Sequence, residues 1–207
     1  KSTTIIENFP KIEYLDQPTS NIRRTKNSII YHGHLAPERG IQDLVCAMKY
    51  ASESISSISL CLLGTFRTEE FEHKIKSLIV DLGLENTITI FDQVPHSEIW
   101  PIIKEHSIGV IPFRRTPLTE ENTPTKLFEM MICGLEIIVS KLPPAQYFLN
   151  DTVHWCEPED IHSISNSIIN ACKMKDNFIN VQKNFQLIQQ GYNWEHRQDD
   201  YLALFSN

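Results

Sequence analysis

Short runs rich in Ile, Leu and Val alternate along this chain with amphipathic stretches of roughly 10 to 16 residues, and that alternation restricts the fold more than any other feature. The runs are 28–32 (Ser-Ile-Ile-Tyr-His), 58–63, 87–91, 108–111, 135–140 and 153–156. Each is short enough for a strand and enriched in residues that suit one. Between them, 40–52 carries Ile41, Leu44, Val45 and Met48 at helical spacing, and 68–82 carries Phe71, Ile75, Leu78 and Ile79 on one face. Further helices are expected at 96–105, 124–133, 143–149, 158–174, 176–190 and 194–205. Strands alternating with helices mean βα units on a parallel sheet covered on both faces. The fold class is therefore α/β, a doubly wound parallel sheet of Rossmann-like type. Ligands bind such sheets outside the carboxyl ends of the strands. The loops expected at that edge are 33–39, 64–68, 92–96 and 112–123. A short strand at 2–6, a polar linker at 11–27 and a break at Gly191-Tyr192-Asn193 divide the chain into 1–27, 28–190 and 191–207.

The stretch 121–140 holds the candidate chemistry. Thr123 suits an N-cap, Pro124 the first helical position, and Gly134 the left-handed residue after the last turn. A helix starting there leaves the N–H groups of Thr125, Lys126 and Leu127 without intrahelical partners. The macrodipole adds roughly half a positive charge at that end. Lys126 adds a full one, so an anion site is expected. Glu129 is the odd member, a carboxylate among Leu127, Phe128, Met130, Met131 and Ile132. Buried alone it would cost several kcal/mol. It either reaches solvent along a narrow stripe or faces a cleft, and the capped, cationic helix start favours the cleft.

Composition narrows the partners. A net charge of −7 and a pI near 5.6 argue against nucleic acid, which demands a basic face. The five cysteines form no Cys-x-x-Cys and mostly sit in apolar runs, which fits a reducing compartment. No apolar run approaches the ~20 residues of a membrane span, and no signal peptide is recognisable. The start at Lys1 leads to the expectation that the chain is part of a longer one. His32-Gly33-His34 places two imidazoles at i, i+2, but a metal site needs further ligands that the sequence does not identify. His34 is read instead as lining a pocket. Arg39-Gly40, just before a helix, suits a phosphate clamp, with a solvated Arg beside Glu38 as the plain alternative. There is no Gly-x-Ser-x-Gly, Gly-x-Gly-x-x-Gly or Walker A loop, and the chain has only seven glycines. Glu121 and Glu129 could border one cleft as a glycosidase pair does, but such a pair has no use for a phosphate cradle.

Taken together these residues resemble a known family. Glu121-x7-Glu129, with Pro124-Thr125-Lys126-Leu127-Phe128-Glu129 and Cys133-Gly134-Leu135, resembles the Glu-x7-Glu signature of the retaining glycosyltransferases of family 4, which have the GT-B fold. Tyr31-His32-Gly33-His34-Leu35 with Glu38-Arg39-Gly40 looks like the family's first phosphate loop. Val94-Pro95-His96-Ser97-Glu98-Ile99 looks like its base-side loop, and Tyr192-Asn193-Trp194-Glu195 like the start of its last, crossing helix. The likeness covers only the carboxyl-terminal, donor-binding half of such an enzyme. It implies that 1–27 is the tail of a missing amino-terminal domain with the interdomain linker, that 28–190 binds the nucleotide sugar, and that 191–207 is the crossing helix.

The resemblance also implies roles. Glu129 would hold the ribose hydroxyls. The backbone at Thr125, Lys126 and Leu127 would hold the diphosphate together with Arg39, Gly33, His34 and Gly64 would border the nucleotide sugar, and Val94 and Pro95 would lie near the base. Glu121 would stand by the donor sugar, and Glu121, Arg39 and Lys126 would carry catalysis. The donor would be a UDP- or GDP-sugar, with no cofactor and no metal. The acceptor, a glycan, a lipid-linked or a small-molecule one, would be held through the missing domain, and the isolated chain would be inactive without it. The expected setting is cell-surface polysaccharide synthesis in the cytoplasm, at the inner face of the membrane where the full-length enzyme associates peripherally. The family often has Arg where His34 stands, Lys where Arg39 stands, Pro where Glu136 stands and Gly where Gln93 stands. A non-catalytic nucleotide- or sugar-binding module of the same fold is the alternative, which keeping both Glu121 and Glu129 argues against.

Overall fold

Six strands form one parallel sheet in the order β3-β2-β1-β4-β5-β6. The structure, a computed structural model, describes residues 7–14, 24–149, 151–174 and 178–205. The expected strand at 2–6 lies outside them, as does part of the expected linker. The strands are β1 (Ser28–His32), β2 (Ser59–Leu63), β3 (Ile88–Phe91), β4 (Ile108–Ile111), β5 (Glu136–Ser140) and β6 (His154–Cys156). β1, β4 and β5 are buried at every position, as strands covered on both faces are. Edge strand β3 instead alternates, with Phe91 exposed.

Helices fill both faces: α1 (Ile41–Ser54), α2 (Glu69–Asp81), α3 (Ile99–Glu105), α4 (Pro117–Glu121), α5 (Thr125–Ile132), α6 (Pro143–Phe148), α7 (Ile161–Lys173), α8 (Phe178–Gln190) and α9 (Trp194–Ala203). Thr68 caps α2 by accepting from the Phe71 N–H, and Asp160 caps α7 by accepting from Ser163. The latter cap delays the start of α7 relative to the expected 158.

Two local expectations are corrected. The segment 112–123 is not all loop, because Thr116 and Thr119 form a reciprocal capping box that starts α4 at Pro117. Thr123 is not the cap of α5. Pro124 takes that position with φ −75° and ψ 105°, and no side chain caps the helix. A single turn of chain between α4 and α5 leaves Thr123 to line the cleft instead.

α5 is enclosed by the core. Leu127, Phe128, Met130, Met131 and Ile132 are buried, and Phe128 packs edge-on against Phe9 at 4.7 Å and Phe148 at 5.3 Å. Tyr192 completes this aromatic cluster at 5.7 Å from Phe9. The amino-terminal segment is thereby held to the carboxyl-terminal one. Trp194 N–H donates to the Pro10 carbonyl at 3.0 Å, and the Ile12 N–H donates to the Glu195 carboxylate at 2.8 Å. Tyr201, Leu204 and Phe205 leave an exposed apolar face at the end of α9. Among the described residues no helix is long and apolar enough to cross a membrane.

Candidate functional site

In a sheet of order 3-2-1-4-5-6 the chain reverses direction across the sheet between β1 and β4, and a crevice opens there. The turn after β1, the residues after β4 and the start of α5 meet at that point. They enclose a cavity of about 350 Å³ lined by His32, Gly33, His34, Arg39, His96, Phe113, Asn122, Thr123, Pro124, Thr125, Lys126 and Glu129. A second cavity of about 330 Å³ shares His96, Thr125 and Glu129 and runs on to Asn8–Lys11, Trp100 and Trp194.

Lys126 is the centre of the first cavity. Its ammonium donates to the His32 carbonyl at 2.6 Å and to the Tyr31 hydroxyl at 3.0 Å. Tyr31 passes the bond on, donating to the His34 carbonyl at 2.8 Å. The ammonium also stands 4.2 Å above the Tyr31 ring. Burial, with Arg39 nearby and Glu129 in partial opposition, lowers the Lys126 pKa to about 7. Gly33 makes this approach feasible: its φ is +105°, and a Cβ there would lie 2.8 Å from the Lys126 nitrogen.

Arg39 stacks on the Phe113 ring at 4.5 Å. Its position follows from how the preceding turn is tied down. Gly40, at φ +69°, lies so close to the carbonyl of Pro112 that a Cβ would stand 1.8 Å from the oxygen. Arg114 N–H donates to the Glu38 carbonyl at 3.1 Å, while the Arg114 guanidinium binds the buried Asp43 of α1 through two bonds of 2.6 Å. Those bonds raise the Arg114 pKa further.

Glu129 faces this cleft and not bulk solvent, its side chain only 13 % exposed. His96 Nε2 lies 2.7 Å from Oε1, and His32 Nε2 lies 3.5 Å from Oε2. Burial, reinforced by Lys126 and His96, lowers the His32 pKa to about 3, so this imidazole is neutral.

Of the residues singled out in the sequence, Gly33, His34, Arg39, Thr125, Lys126 and Glu129 line the cavity. Leu127 turns its side chain into the core, and its N–H is not free, since it donates to the Pro124 carbonyl at 2.9 Å. The early bond follows from Pro124 taking the cap, so Thr125 and Lys126 supply the helix-start amides. Gly64, Val94, Pro95 and Glu121 are not part of the lining. Glu121 is exposed at the end of α4, while the next two residues, Asn122 and Thr123, line the cavity. His96, Phe113 and Asn122 were not singled out. His96 lay within the expected base-side loop, but nothing local ties it to Glu129, which is 33 residues away. Among the described residues no group of three or more His, Cys, Asp or Glu could hold a metal ion.

Residues 15–194 match the family model of the glycosyl transferases group 1. This chain belongs to that family. No curated protein matches the chain. Among solved structures, a mutant of S. aureus TarM in complex with Fondaparinux, alpha-GlcNAc-glycerol and UDP superposes with a TM-score of 0.81 at 16 % identity, covering 99 % of this chain and 39 % of TarM. Anabaena HepE in complex with UDP and glucose gives 0.77 at 17 % identity, covering 99 % of this chain and 57 % of HepE. The C-terminal domain of the group 1 glycosyl transferase LpcC from Francisella tularensis gives 0.72 at 15 % identity, covering 89 % of this chain and 95 % of that one. This group 1 chain thus shares its fold with GT-B glycosyltransferases and spans about two fifths to three fifths of the TarM and HepE chains.

Proposed function

We propose that the cavity is the donor site of a retaining hexosyltransferase of family 4, which moves a sugar from a nucleotide-diphosphate sugar to a glycan, lipid or small-molecule acceptor in cell-surface polysaccharide synthesis. One observation carries the reading: two cationic side chains, Lys126 and Arg39, line one cavity at the sheet's switch point together with the start of α5. That arrangement suits a diphosphate. Lys126 and Arg39 neutralise the leaving nucleotide diphosphate, and the helix-start amides of Thr125 and Lys126 complete its cradle. Glu129 binds the ribose hydroxyls, and the adjoining cavity past His96 and Trp100 leaves room beyond the ribose. No metal is required for this charge neutralisation. The acceptor is held by a further domain, so this chain alone binds the donor and transfers little, since transfer depends on positioning both partners. The enzyme works in the cytoplasm, at the inner face of the membrane.

TarM with UDP and HepE with UDP and glucose make UDP the first ligand to try, with GDP as the comparison. Calorimetry on the chain is expected to show UDP or GDP binding that Glu129→Gln weakens by about 1–3 kcal/mol. Unchanged affinity in that variant would remove the ribose assignment. The second reading, a non-catalytic nucleotide- or sugar-binding module, draws support from the exposed position of Glu121 outside the cavity lining. Transfer by the chain joined to its acceptor-binding half, lost in Lys126→Met, separates the two.

A further inference from the structure

Among the described residues the Arg39 guanidinium makes no hydrogen bond and no ion pair. What it has is the ring of Phe113, whose centroid is 4.5 Å from the guanidinium carbon. The same centroid is 5.4 Å from the Lys126 ammonium. Both distances fall within the roughly 6 Å over which the negative face of a ring attracts a cation. Lys126 has further holds in the His32 carbonyl and the Tyr31 hydroxyl and ring. Arg39 depends on Phe113.

The ring is itself fixed to the turn that carries Arg39. Phe113 is 3 % exposed and follows β4 directly after Pro112. On one side of it the Pro112 carbonyl lies against Gly40, where a Cβ would stand 1.8 Å from the oxygen. On the other the Arg114 N–H donates to the Glu38 carbonyl at 3.1 Å. Residues 112–114 therefore run alongside 38–40, which sets Phe113 beside Arg39. Lys126 comes to the same ring from α5, so Phe113 joins all three elements that meet at the crevice.

This arrangement answers a problem of electrostatics. Two cations brought together without an anion repel each other, and an arginine with no hydrogen bond is free to swing away. A ring face opposes both while leaving the five guanidinium N–H groups unspent, ready for phosphate oxygens. An aliphatic side chain fills the space without supplying such a face.

We propose that Phe113 is a positioning residue of the diphosphate site: its ring face holds Arg39, together with Lys126, in place before the nucleotide arrives, so that diphosphate affinity depends on the electrostatics of the ring and not on its bulk alone. This rests on the donor-site reading above.

Calorimetry on the chain carrying mono-, di- or trifluorinated phenylalanine at position 113 tests it, with UDP as the ligand, or GDP where that is the nucleotide the wild type binds. Fluorine withdraws charge from the ring face and nearly keeps its shape. Affinity is therefore expected to fall in steps along the series, by about threefold to tenfold in total. Phe113→Leu, apolar but without a ring face, is expected to bind at least as weakly as the trifluorinated form. Urea denaturation checks that each form is folded. If the wild type binds nucleotide while affinity stays flat along the fluorinated series, the proposal is overturned: Phe113 only fills space, and the donor site stands. If neither UDP nor GDP binds the wild type, the donor site fails and the role of Phe113 with it.

Discussion

The ammonium of Lys126 donates to the main-chain carbonyl of His32 at 2.6 Å, tying the first turn of α5 to the end of β1 across the sheet's switch point. A cation whose pKa burial has brought to about 7 makes that tie pH-sensitive.

Lys126 has an ordinary pKa of 10.5, which the unfolded chain regains, against about 7 when folded. Between those values the unfolded chain holds the extra proton, so wild-type stability relative to Lys126→Met rises with pH across that window. Below pH 7 both states are charged and the full penalty of burying the ammonium applies. Urea denaturation at pH 6.5 and 9.5 is expected to show the Met variant at its greatest relative advantage at the lower pH. UDP reverses the balance, because a bound diphosphate favours the charged amine. Wild-type UDP affinity is therefore expected to fall from pH 7 to 9, and the Lys126→Met affinity, weaker throughout, to stay nearly flat.

Gly33 and Gly40 separate stability from binding. In Gly40→Ala the new Cβ meets the main-chain oxygen of Pro112 at 1.8 Å, which no rotamer change relieves. A loss of about 3 kcal/mol in urea denaturation is expected. In Gly33→Ala the obstacle is the flexible end of Lys126 at 2.8 Å, which can move aside. The stability loss is expected to be smaller, about 1–2 kcal/mol for the backbone conformation. Its UDP affinity suffers instead, because the displaced ammonium leaves the diphosphate position.

Arg114 holds the phosphate turn from outside the cavity. Arg114→Leu strands the buried Asp43 carboxylate, and a loss of about 2–3 kcal/mol is expected in urea denaturation, below the full value for a wholly buried pair because Arg114 is itself partly exposed. The double variant Asp43→Leu/Arg114→Leu removes the stranded charge and is expected to recover part of it. Equal losses in the single and double variants would show that the pair's electrostatics are not what anchors the turn.

The sheet was legible because β1, β2, β4 and β5 are nearly continuous apolar runs and the helices carry a clear 3.6-residue period. Lys126 and Glu129 were legible too, as a cation at a helix start and a carboxylate on an apolar helix. What escaped was set by distance in sequence. The Arg114–Asp43 pair joins residues 71 apart, and His96 reaches Glu129 over 33. α4 escaped for a different reason: its capping box uses Thr where Glu or Gln is the usual partner, so Thr116-Pro117-Leu118-Thr119 reads as loop. Thr123 has the side chain an N-cap prefers, yet Pro124, one residue later, takes the position without a side-chain cap.

Acid is expected to destabilise the chain through two imidazoles, the buried His32 and the half-buried His106. His32 has a pKa lowered to about 3 by burial, then by Lys126 and His96. His106, whose Nδ1 hydrogen-bonds with the Ser28 hydroxyl, is lowered to about 4, also by burial. Both return to their ordinary 6.5 on unfolding. As the pH falls below that value the unfolded chain takes up protons that the folded chain refuses, so stability drops with falling pH. Each proton difference contributes a slope of about 1.4 kcal/mol per pH unit where it is complete. The His106 contribution is expected to flatten near pH 4 and that of His32 to continue lower. Carboxylates titrate in the same region, so the comparison is between variants. His106→Asn is expected to reduce the slope between pH 6 and 4.5 by about one proton, and His32→Gln by another, in urea midpoints converted to free energy. A slope unchanged in both variants would mean that neither imidazole is held neutral by the fold.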